Sequence, residues 1–151
     1  MSLTRLSAAV AMVAIAGCAS APASRADSVP GAAERAAGVA LKMVGKPYRY
    51  GGSSPAGFDC SGLVHFSFRQ AGVSLPRSTG AQLVTGVRVR LSGVRRGDLL
   101  FFDEEGKKKS HVGIYLGDGR FVHAPSSGKH VRTDSLDAPY WKKHFSEARR
   151  V

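Results

Sequence analysis

The sequence predicts an α+β fold, in which helices come first along the chain and antiparallel strands follow. Up to about residue 84, apolar residues recur at the helical spacing i, i+3, i+4 and i+7. From residue 87 onwards they alternate with polar residues or form short apolar runs between glycine-containing turns, as strands do. The chain has 151 residues, of which 43% are hydrophobic, and this is enough for one domain and an appendage.

The N-terminal residues are predicted to form an export signal. Arg5 is followed by the apolar run LSAAVAMVAIAG, which is too short to span a bilayer but is typical of the apolar core of a signal peptide. The run ends in Ile15-Ala16-Gly17-Cys18, which is similar to a bacterial lipobox and predicts a lipid on Cys18. The alternative is an ordinary signal peptide that is cut near Ala19–Ala21.

The predicted organisation is a lipoprotein signal peptide over 1–17, a lipidated cysteine and flexible tether over 18–31, and a folded domain over 32–151. The tether is rich in Ala, Ser and Pro and has no apolar period. Ala19, and not an aspartate, follows Cys18. By resemblance to bacterial sorting patterns, this favours a lipid anchor in the outer membrane, facing the periplasm.

Three helices are predicted in the N-terminal half of the domain. Gly45 and Pro47 end the first of them. Asp59 is a good N-cap for a second helix that runs from Cys60 to about residue 71, and Ser78 can cap a short third helix through residue 84. The inward stripes are Ala33, Ala36, Ala37, Ala40, Leu41 and Val44 in the first helix and Leu63, Val64, Phe68 and Ala71 in the second.

The C-terminal half is predicted to be mostly strands. The candidates are VRVRL (87–91), LLFF (99–102), HVGIYL (111–116) and RFVHA (120–124). EEGKKK (104–109) is expected to be a charged surface loop, and the glycines around Asp118 indicate a hairpin. The tail from Pro139 is expected to pack Trp141 and Phe145 and to end in a short strand.

The cysteine count makes Cys60 a candidate nucleophile. The chain has two cysteines, and if Cys18 carries a lipid, Cys60 has no intramolecular partner. Exported proteins usually pair their thiols, so a lone thiol indicates either a reactive group or a small buried apolar residue. Cys60 begins a predicted helix, where the partial positive charge of the N-terminus is expected to lower the thiol pKa.

Two histidines on neighbouring strands are candidates for its base. If the hairpin loop is the three residues 117–119, Leu116 lies opposite Arg120, and His111 and His123 become diagonal neighbours on one face. A two-residue turn without a bulge would separate them. The residue pattern therefore predicts Cys60 as nucleophile, His111 as general base and His123 as the group that orients His111. The alternative is a pair of structural histidines.

Several ordered motifs resemble the NlpC-type cell-wall cysteine peptidases. The motifs are Tyr48-Arg49-Tyr50-Gly51-Gly52, Asp59-Cys60-Ser61-Gly62, Leu75-Pro76-Arg77-Ser78-Thr79, Arg96-Gly97-Asp98-Leu99, His111-Val112-Gly113-Ile114-Tyr115 and Phe121-Val122-His123-Ala124. The resemblance covers about residues 34–151. It implies a papain-like fold and a Cys-His-His triad, with no metal or organic cofactor.

The same resemblance implies roles for residues near Cys60. Tyr48, otherwise an ordinary packing aromatic, would help to form the oxyanion hole together with the Cys60 backbone N–H. Ser61 and Arg77 would line the cleft and contact the substrate. Asp59 could cap the helix or bind a substrate amine, and the cap is favoured because an endopeptidase acts inside a cross-link.

The family's substrate is peptidoglycan. The final stretch, from Pro139 to Val151, is similar to the murein DD-endopeptidase lipoproteins of the family, which implies cleavage of D-Ala–meso-diaminopimelate cross-links by an enzyme anchored in the outer membrane. A monomer is expected, although no motif in the sequence indicates the oligomeric state. Other members cut the D-Glu–diaminopimelate bond or act as L,D-carboxypeptidases. A wall-binding lipoprotein without activity is a further alternative.

Two other classes of function fit the sequence poorly. The net charge of +11 favours polyanionic partners, but the lysine run at 107–109 has no interleaved aromatics, and export argues against nucleic acid. Cell-wall stems or lipopolysaccharide are more plausible partners, and a solvated surface would explain the charge equally well. A zinc site is disfavoured because one cysteine and two histidines lack a clear fourth ligand.

Overall fold

The structure is a computed structural model that describes residues 31–126 and 128–151. The signal peptide, Cys18 and nearly all of the proposed tether lie outside the described residues. Among the described helices, none combines the length and the apolar character that a membrane span requires.

The described part of the chain contains four α-helices, and the first three were predicted. Their bounds are α1 (Ala32–Lys42), α2 (Cys60–Gln70), α3 (Thr79–Leu83) and α4 (Pro139–His144). Asp59 caps α2, because its Oδ1 accepts a hydrogen bond from the Gly62 backbone N–H at 2.7 Å. Ser78 caps α3 in the same way, through the Ala81 N–H at 3.4 Å. The fourth helix lies in the tail and begins with a proline, which suits the first turn of a helix.

Eight strands form two antiparallel sheets within residues 31–126 and 128–151. Their bounds are β1 (Ser53–Ser54), β2 (Gly57–Phe58), β3 (Val87–Val89), β4 (Leu99–Glu104), β5 (Lys107–Gly117), β6 (Arg120–His123), β7 (Arg132–Ser135) and β8 (Phe145–Arg150). β1 pairs only with β2, and the other six strands form one sheet in the order β3-β8-β4-β5-β6-β7. The predicted strand over 87–91 is shorter than expected, because a 3-10 turn begins at Leu91.

The main sheet is covered on both faces. On one face α1 and α2 bury a core that includes Phe101, Val112 and Val122, and the predicted stripe of α2 lies entirely in that core. On the other face Leu100, Phe102, Phe121 and Trp141 form a second cluster. The expected stripe of α1 was too wide, because Leu41 and Val44 near its end are 43% and 45% exposed.

The β5–β6 hairpin uses a bulge instead of a three-residue loop. Gly117 pairs with Arg120 across a two-residue turn, whereas Tyr115 pairs with Phe121, so the register shifts at Leu116. The three-residue loop with Leu116 opposite Arg120 is therefore not the arrangement of this hairpin, and the alternative, a bulge, is present. The bulge adds one residue to β5, so that five residues, an odd number, separate the paired Tyr115 and Phe121. This register places the His111 and His123 side chains on the same face of the sheet.

Gly62 in the first turn of α2 packs directly on the preceding loop. A Cβ at this position would overlap the Gly52 carbonyl oxygen, which already accepts the Asp59 N–H at 3.0 Å. Gly62→Ala is therefore expected to lower the free energy of unfolding by about 3 kcal/mol or more, because both clashing groups are held in place. Urea denaturation measures this loss. Gly80→Ala, where a Cβ meets nothing within 4 Å, is the control, and equal effects of the two changes would contradict the prediction.

Candidate active site

Cys60 opens into a cleft of about 200 Å³ that it shares with Tyr48 and His111. The three side chains come from three separate parts of the fold: the loop after α1, the first residue of α2 and the middle of β5. The structure therefore brings together the predicted nucleophile, the predicted base and the predicted oxyanion donor. The cleft is completed by Glu104, Glu105, Lys107, Ser110, Pro125 and Ser126.

The thiol reaches the cleft at an open edge of β5. The pairing of β6 with β5 stops at Ile114–Val122, so the part of β5 that precedes Ile114 has one edge that β6 does not cover. The Val112 N–H donates a hydrogen bond to the Cys60 thiol there. This explains how a residue of α2 meets His111, although α2 covers the opposite face of the sheet.

Burial dominates the electrostatics of the thiol. Desolvation raises the pKa of Cys60, and hydrogen bonds from Thr79 and from the Val112 and Ser61 backbones lower it by less. The Thr79 hydroxyl lies 3.7 Å from the sulfur, a contact that the sequence did not indicate. The start of the helix acts in the expected direction, through the Ser61 backbone, but burial outweighs it, so the net pKa is raised and the neutral thiol is the resting form.

The raised pKa predicts slow alkylation of Cys60 at neutral pH. In a Cys18→Ser variant, where Cys60 is the only thiol, the rate with iodoacetamide is expected to rise about tenfold per pH unit between pH 6 and 9, because only the thiolate reacts. The same variant unfolded in urea should level off near pH 8.5 to 9, the range of an ordinary thiol. A plateau below pH 7 in the folded protein would contradict the prediction.

The two histidines are hydrogen-bonded to each other and to a carboxylate. His111 Nε2 and His123 Nδ1 are 2.8 Å apart, and His123 Nε2 lies 2.9 Å from Asp134 Oδ2. Both rings are almost fully buried, at 2% and 0% exposure, and each packs against Trp141. The predicted pairing of the histidines is present, and Asp134 on β7 is a further member that the sequence analysis missed.

This chain of contacts fixes the protons on both rings. Burial alone would raise the pKa of Asp134, but the hydrogen bonds from His123 and Arg132 outweigh it and lower the pKa below its usual value. A carboxylate only accepts hydrogen bonds, so His123 donates from Nε2 and accepts at Nδ1. His111 must then donate from Nε2, which leaves a lone pair on its Nδ1. That nitrogen is the one available to take a proton from the thiol.

Both imidazoles are neutral over most of the pH range. Burial lowers the pKa of His111 to about 3, and the nearby charge of His123 adds to this effect. Burial also lowers the pKa of His123 to about 4, although its hydrogen bond to Asp134 acts in the opposite direction. The resting site therefore holds a neutral thiol beside a neutral base.

These lowered pKa values predict that stability falls in mild acid. Below the ordinary histidine pKa of 6.5 the unfolded chain binds protons that the folded site excludes, so each histidine is expected to cost about 1.4 kcal/mol per pH unit. The loss continues down to about pH 4, the folded pKa of His123. Urea unfolding at pH 7, 6 and 5 measures the slope. His123→Asn should reduce the slope by about 1.4 kcal/mol per pH unit, which corresponds to one proton. An unchanged slope would contradict the lowered pKa of His123.

Glu104 is part of the cleft and not of a surface loop. The sequence assigned it to the charged loop over 104–109, but that loop is a tight turn between β4 and β5. Glu104 Oε2 lies 3.4 Å from His111 Nδ1, and its Oε1 accepts the Tyr140 hydroxyl at 3.1 Å. Burial raises the pKa of Glu104. A partly buried carboxyl group therefore lies beside His111 Nδ1, the nitrogen that keeps a lone pair.

The other predicted contact residues form a network of their own, outside the lining of the reaction cleft. Arg77 donates to Asp59 Oδ2 at 2.7 Å and to the Ser61 hydroxyl at 3.0 Å. With Thr79 they line a neighbouring pocket of about 500 Å³. Both oxygens of Asp59 are occupied, by Gly62 and Arg77, so its arrangement here is that of a helix cap and not of a free amine receptor.

The described residues, 31–126 and 128–151, contain no group of three His, Cys, Asp or Glu side chains placed to hold a metal ion. The two histidines bind each other and Asp134, so three of their four ring nitrogens are occupied and only His111 Nδ1 keeps a lone pair. The geometry supports nucleophilic attack by a thiol with an imidazole as its base.

The sequence is similar to a known protein family and to characterised members of it. Residues 45–150 match the NlpC/P60 family. Murein DD-endopeptidase MepS/Murein LD-carboxypeptidase of Escherichia coli is 50% identical over 108 residues, which cover 71% of this chain and 56% of that protein. Murein DD-endopeptidase MepH of E. coli is 40% identical over 116 residues, covering 74% of this chain and 43% of that protein.

A solved structure has the same fold. An NlpC/P60 family protein from Bacillus cereus superposes with a TM-score of 0.73 at 33% identity, and the match covers 78% of this chain and 39% of that one. The present chain thus spans about half the length of the relatives MepS and MepH, at 56% and 43%. The matched residues 45–150 include Cys60, His111 and His123. The chain therefore belongs to the NlpC/P60 family.

Proposed function

We propose that this protein is a peptidoglycan hydrolase, a cysteine peptidase that cleaves the D-Ala–meso-diaminopimelate cross-links between stem peptides. The observation that carries the proposal is the cleft in which Cys60 meets His111, whose Nε2 is 2.8 Å from His123. The relatives MepS and MepH bear the name murein DD-endopeptidase. Because the chain covers only about half of each, their activity is carried over here as a proposal.

In the first step Cys60 attacks the carbonyl carbon of the scissile amide. The S–H proton passes to the lone pair on His111 Nδ1 as the C–S bond forms, so a thiolate need not exist beforehand. The negative charge develops on the carbonyl oxygen. The Tyr48 hydroxyl and the Cys60 N–H are the proposed donors to it, and each such donor is worth about 3 kcal/mol of barrier.

In the second step His111 returns its proton to the leaving nitrogen, and the C–N bond breaks. The imidazolium formed in between is stabilised through His123 by the Asp134 carboxylate, 2.9 Å from His123 Nε2. A water molecule, deprotonated by His111, then attacks the thioester and releases Cys60. Every proton in this sequence is carried by groups of the chain and by water, and the proposal requires no cofactor.

Mass analysis of digestion products tests the function. The wild-type protein, incubated with purified cross-linked muropeptide dimers, is expected to release monomers that retain the diaminopimelate amine, with Cys60→Ala as the inactive control. Cleavage between D-Glu and diaminopimelate, or release of terminal D-Ala, would replace the endopeptidase assignment by one of the other activities of the family. Unchanged dimers would indicate a wall-binding protein without activity.

We further propose that the chain is exported, lipidated on Cys18 and held in the outer membrane facing the periplasm, and that it acts as a monomer. The lipobox-like sequence before Cys18 and the Ala/Ser/Pro-rich stretch after it support this location. Radiolabelled palmitate is expected to label the wild-type protein but not a Cys18→Ser variant. Equal labelling of both, or recovery of the wild type in the soluble periplasmic fraction, would contradict the anchor.

A further inference from the structure

A second pocket adjoins the reaction cleft on the side of His111. It has a volume of about 430 Å³, and Glu104, Glu105, Pro125 and Ser126 line both cavities. Its other walls are Lys129, Arg132, Asp134, Ala138, Tyr140 and Trp141. The mechanism gives this pocket no role so far, although it begins within a few ångströms of the base, because Glu104 is 3.4 Å from His111 Nδ1.

The position of the pocket says which part of a substrate it can hold. His111 returns its proton to the leaving nitrogen, so that nitrogen must lie beside His111 Nδ1 when the bond breaks. The pocket lined by Ser61 and Arg77 includes neither His111 nor any residue of the pocket beyond it, and it is left for the acyl half. The pocket beyond His111 therefore lies where the residue with the leaving amine extends.

Most charges in this pocket already have partners. Arg132 pairs with Asp134 at 3.0 Å, and Glu104 accepts a hydrogen bond from the Tyr140 hydroxyl at 3.1 Å. Within residues 31–126 and 128–151, Lys129 and Glu105 form no ion pair. Burial has the largest effect on the pKa of Glu104 and of His123, and the charge of Lys129 lowers both values. Lys129 lines the same pocket as Glu104 and Asp134.

The backbone of Lys129 is fixed next to the proposed oxyanion site. Its carbonyl oxygen accepts the Tyr48 N–H at 2.8 Å, and the adjacent His130 forms a β-bridge with Pro47. The lysine therefore places a long, unpaired cation at the edge of the pocket while its main chain stays in register with Tyr48. Such a cation is suited to a ligand carboxylate.

We propose that this pocket is the subsite for the residue that carries the leaving amine, and that Lys129 binds the free carboxylate of that residue. The inference rests on the proposed peptidase function and deepens it. In a D-Ala–diaminopimelate cross-link, the carbon that bears the scissile nitrogen also bears a free carboxylate. Terminal D-Ala has one in the same place. At the D-Glu–diaminopimelate bond of a tetrapeptide stem, that carboxyl group is already an amide.

Lys129 therefore favours cleavage of the D-Ala–diaminopimelate cross-link and release of terminal D-Ala over cleavage of the D-Glu–diaminopimelate bond. A carboxylate on the leaving residue is attracted to the ammonium, whereas a neutral carboxamide there leaves the lysine without an ionic partner. The subsite thus distinguishes between bonds by the charge of the group beside the scissile nitrogen. This selection does not depend on the catalytic groups.

A pair of matched substrates tests this inference. One is the cross-linked muropeptide dimer, and the other is the same dimer with a carboxamide in place of the free carboxylate beside the cross-link. The wild type is expected to prefer the acid by about tenfold in kcat/KM, as for a charge-assisted hydrogen bond. Lys129→Met should cleave both dimers at the rate of the wild type on the amide. Lys108→Met, which removes an exposed lysine outside the pocket, should keep the preference.

The possible outcomes separate the two proposals. If the wild type cleaves both dimers at equal rates, or Lys129→Met keeps the tenfold preference, the carboxylate subsite is overturned and the endopeptidase proposal stands. If the wild type cleaves neither dimer, the endopeptidase proposal is overturned, and with it the subsite. Thermal unfolding of both lysine variants should match the wild type, because Lys129 and Lys108 are exposed.

Discussion

Cys60→Ser is expected to lower kcat on cross-linked dimers by about 10⁴-fold or more, as much as Cys60→Ala. Serine places an oxygen close to the position of the sulfur, but a hydroxyl is far harder to deprotonate than a thiol. The base is also weak, because burial lowers the pKa of His111 to about 3. Such a base can assist a thiol, which is a good nucleophile as it ionises, and it gives little help to an alcohol.

Quantitative digestion of purified dimers with each variant measures the loss. Both variants should keep the free energy of unfolding within about 1 kcal/mol of the wild type, because the change at Cys60 is small and its side-chain contact with Thr79 is long, at 3.7 Å. A serine variant that retained more than a hundredth of wild-type kcat would argue against Cys60 as the nucleophile. Equal inactivation with loss of folding would leave the assignment unsupported.

Asp134→Ala should lower kcat by roughly 10² to 10³-fold, and Asp134→Asn by roughly tenfold. His123, Arg132 and Trp141 all donate to the same oxygen, Oδ2. An asparagine whose amide oxygen takes that place still accepts from His123 and so keeps the lone pair on His111 Nδ1. It lacks only the negative charge that stabilises the imidazolium. Alanine removes the acceptor and the charge together.

Asp134 acts through His123, so we treat it as a positioning residue, and a double-mutant cycle tests this. In a His123→Asn background, Asp134→Ala is expected to cost less than about tenfold, because the link to His111 is already broken. KM should change little in either background. A full loss in the His123→Asn background, or equal losses for Asn and Ala in the wild type, would show that Asp134 only supports the fold.

The sequence predicted most of the site because its signals are local. A cap residue before Cys60, an apolar stripe after it and alternation along β5 and β6 are set by neighbours within a few positions. Parity then required a bulge or an odd loop to bring His111 and His123 together. The structure contains the bulge, at Leu116. The triad and the helix cap were therefore within reach of pattern reasoning.

Other features depend on parts of the chain that are distant in sequence. Asp134 is eleven residues from His123 in a strand, β7, that has no apolar alternation. Glu104 lies in a charged segment that by composition is an ordinary exposed turn. Lys129 is one of many lysines and arginines, 22 in all. No pattern in the neighbouring sequence indicates a role for these three residues. Only the packing of β4, β6 and α4 shows that they surround the cleft.

The sequence by itself determined the order of helices and strands, the position of the Cys60 thiol at the head of α2 and the shared face of the two histidines. These follow from periodicity and capping, which act over one or two turns or strands. The tertiary structure decided the protonation of the site. Burial raises the pKa of Cys60 and lowers that of His111, because desolvation depends on everything packed around a group and opposes charge on both.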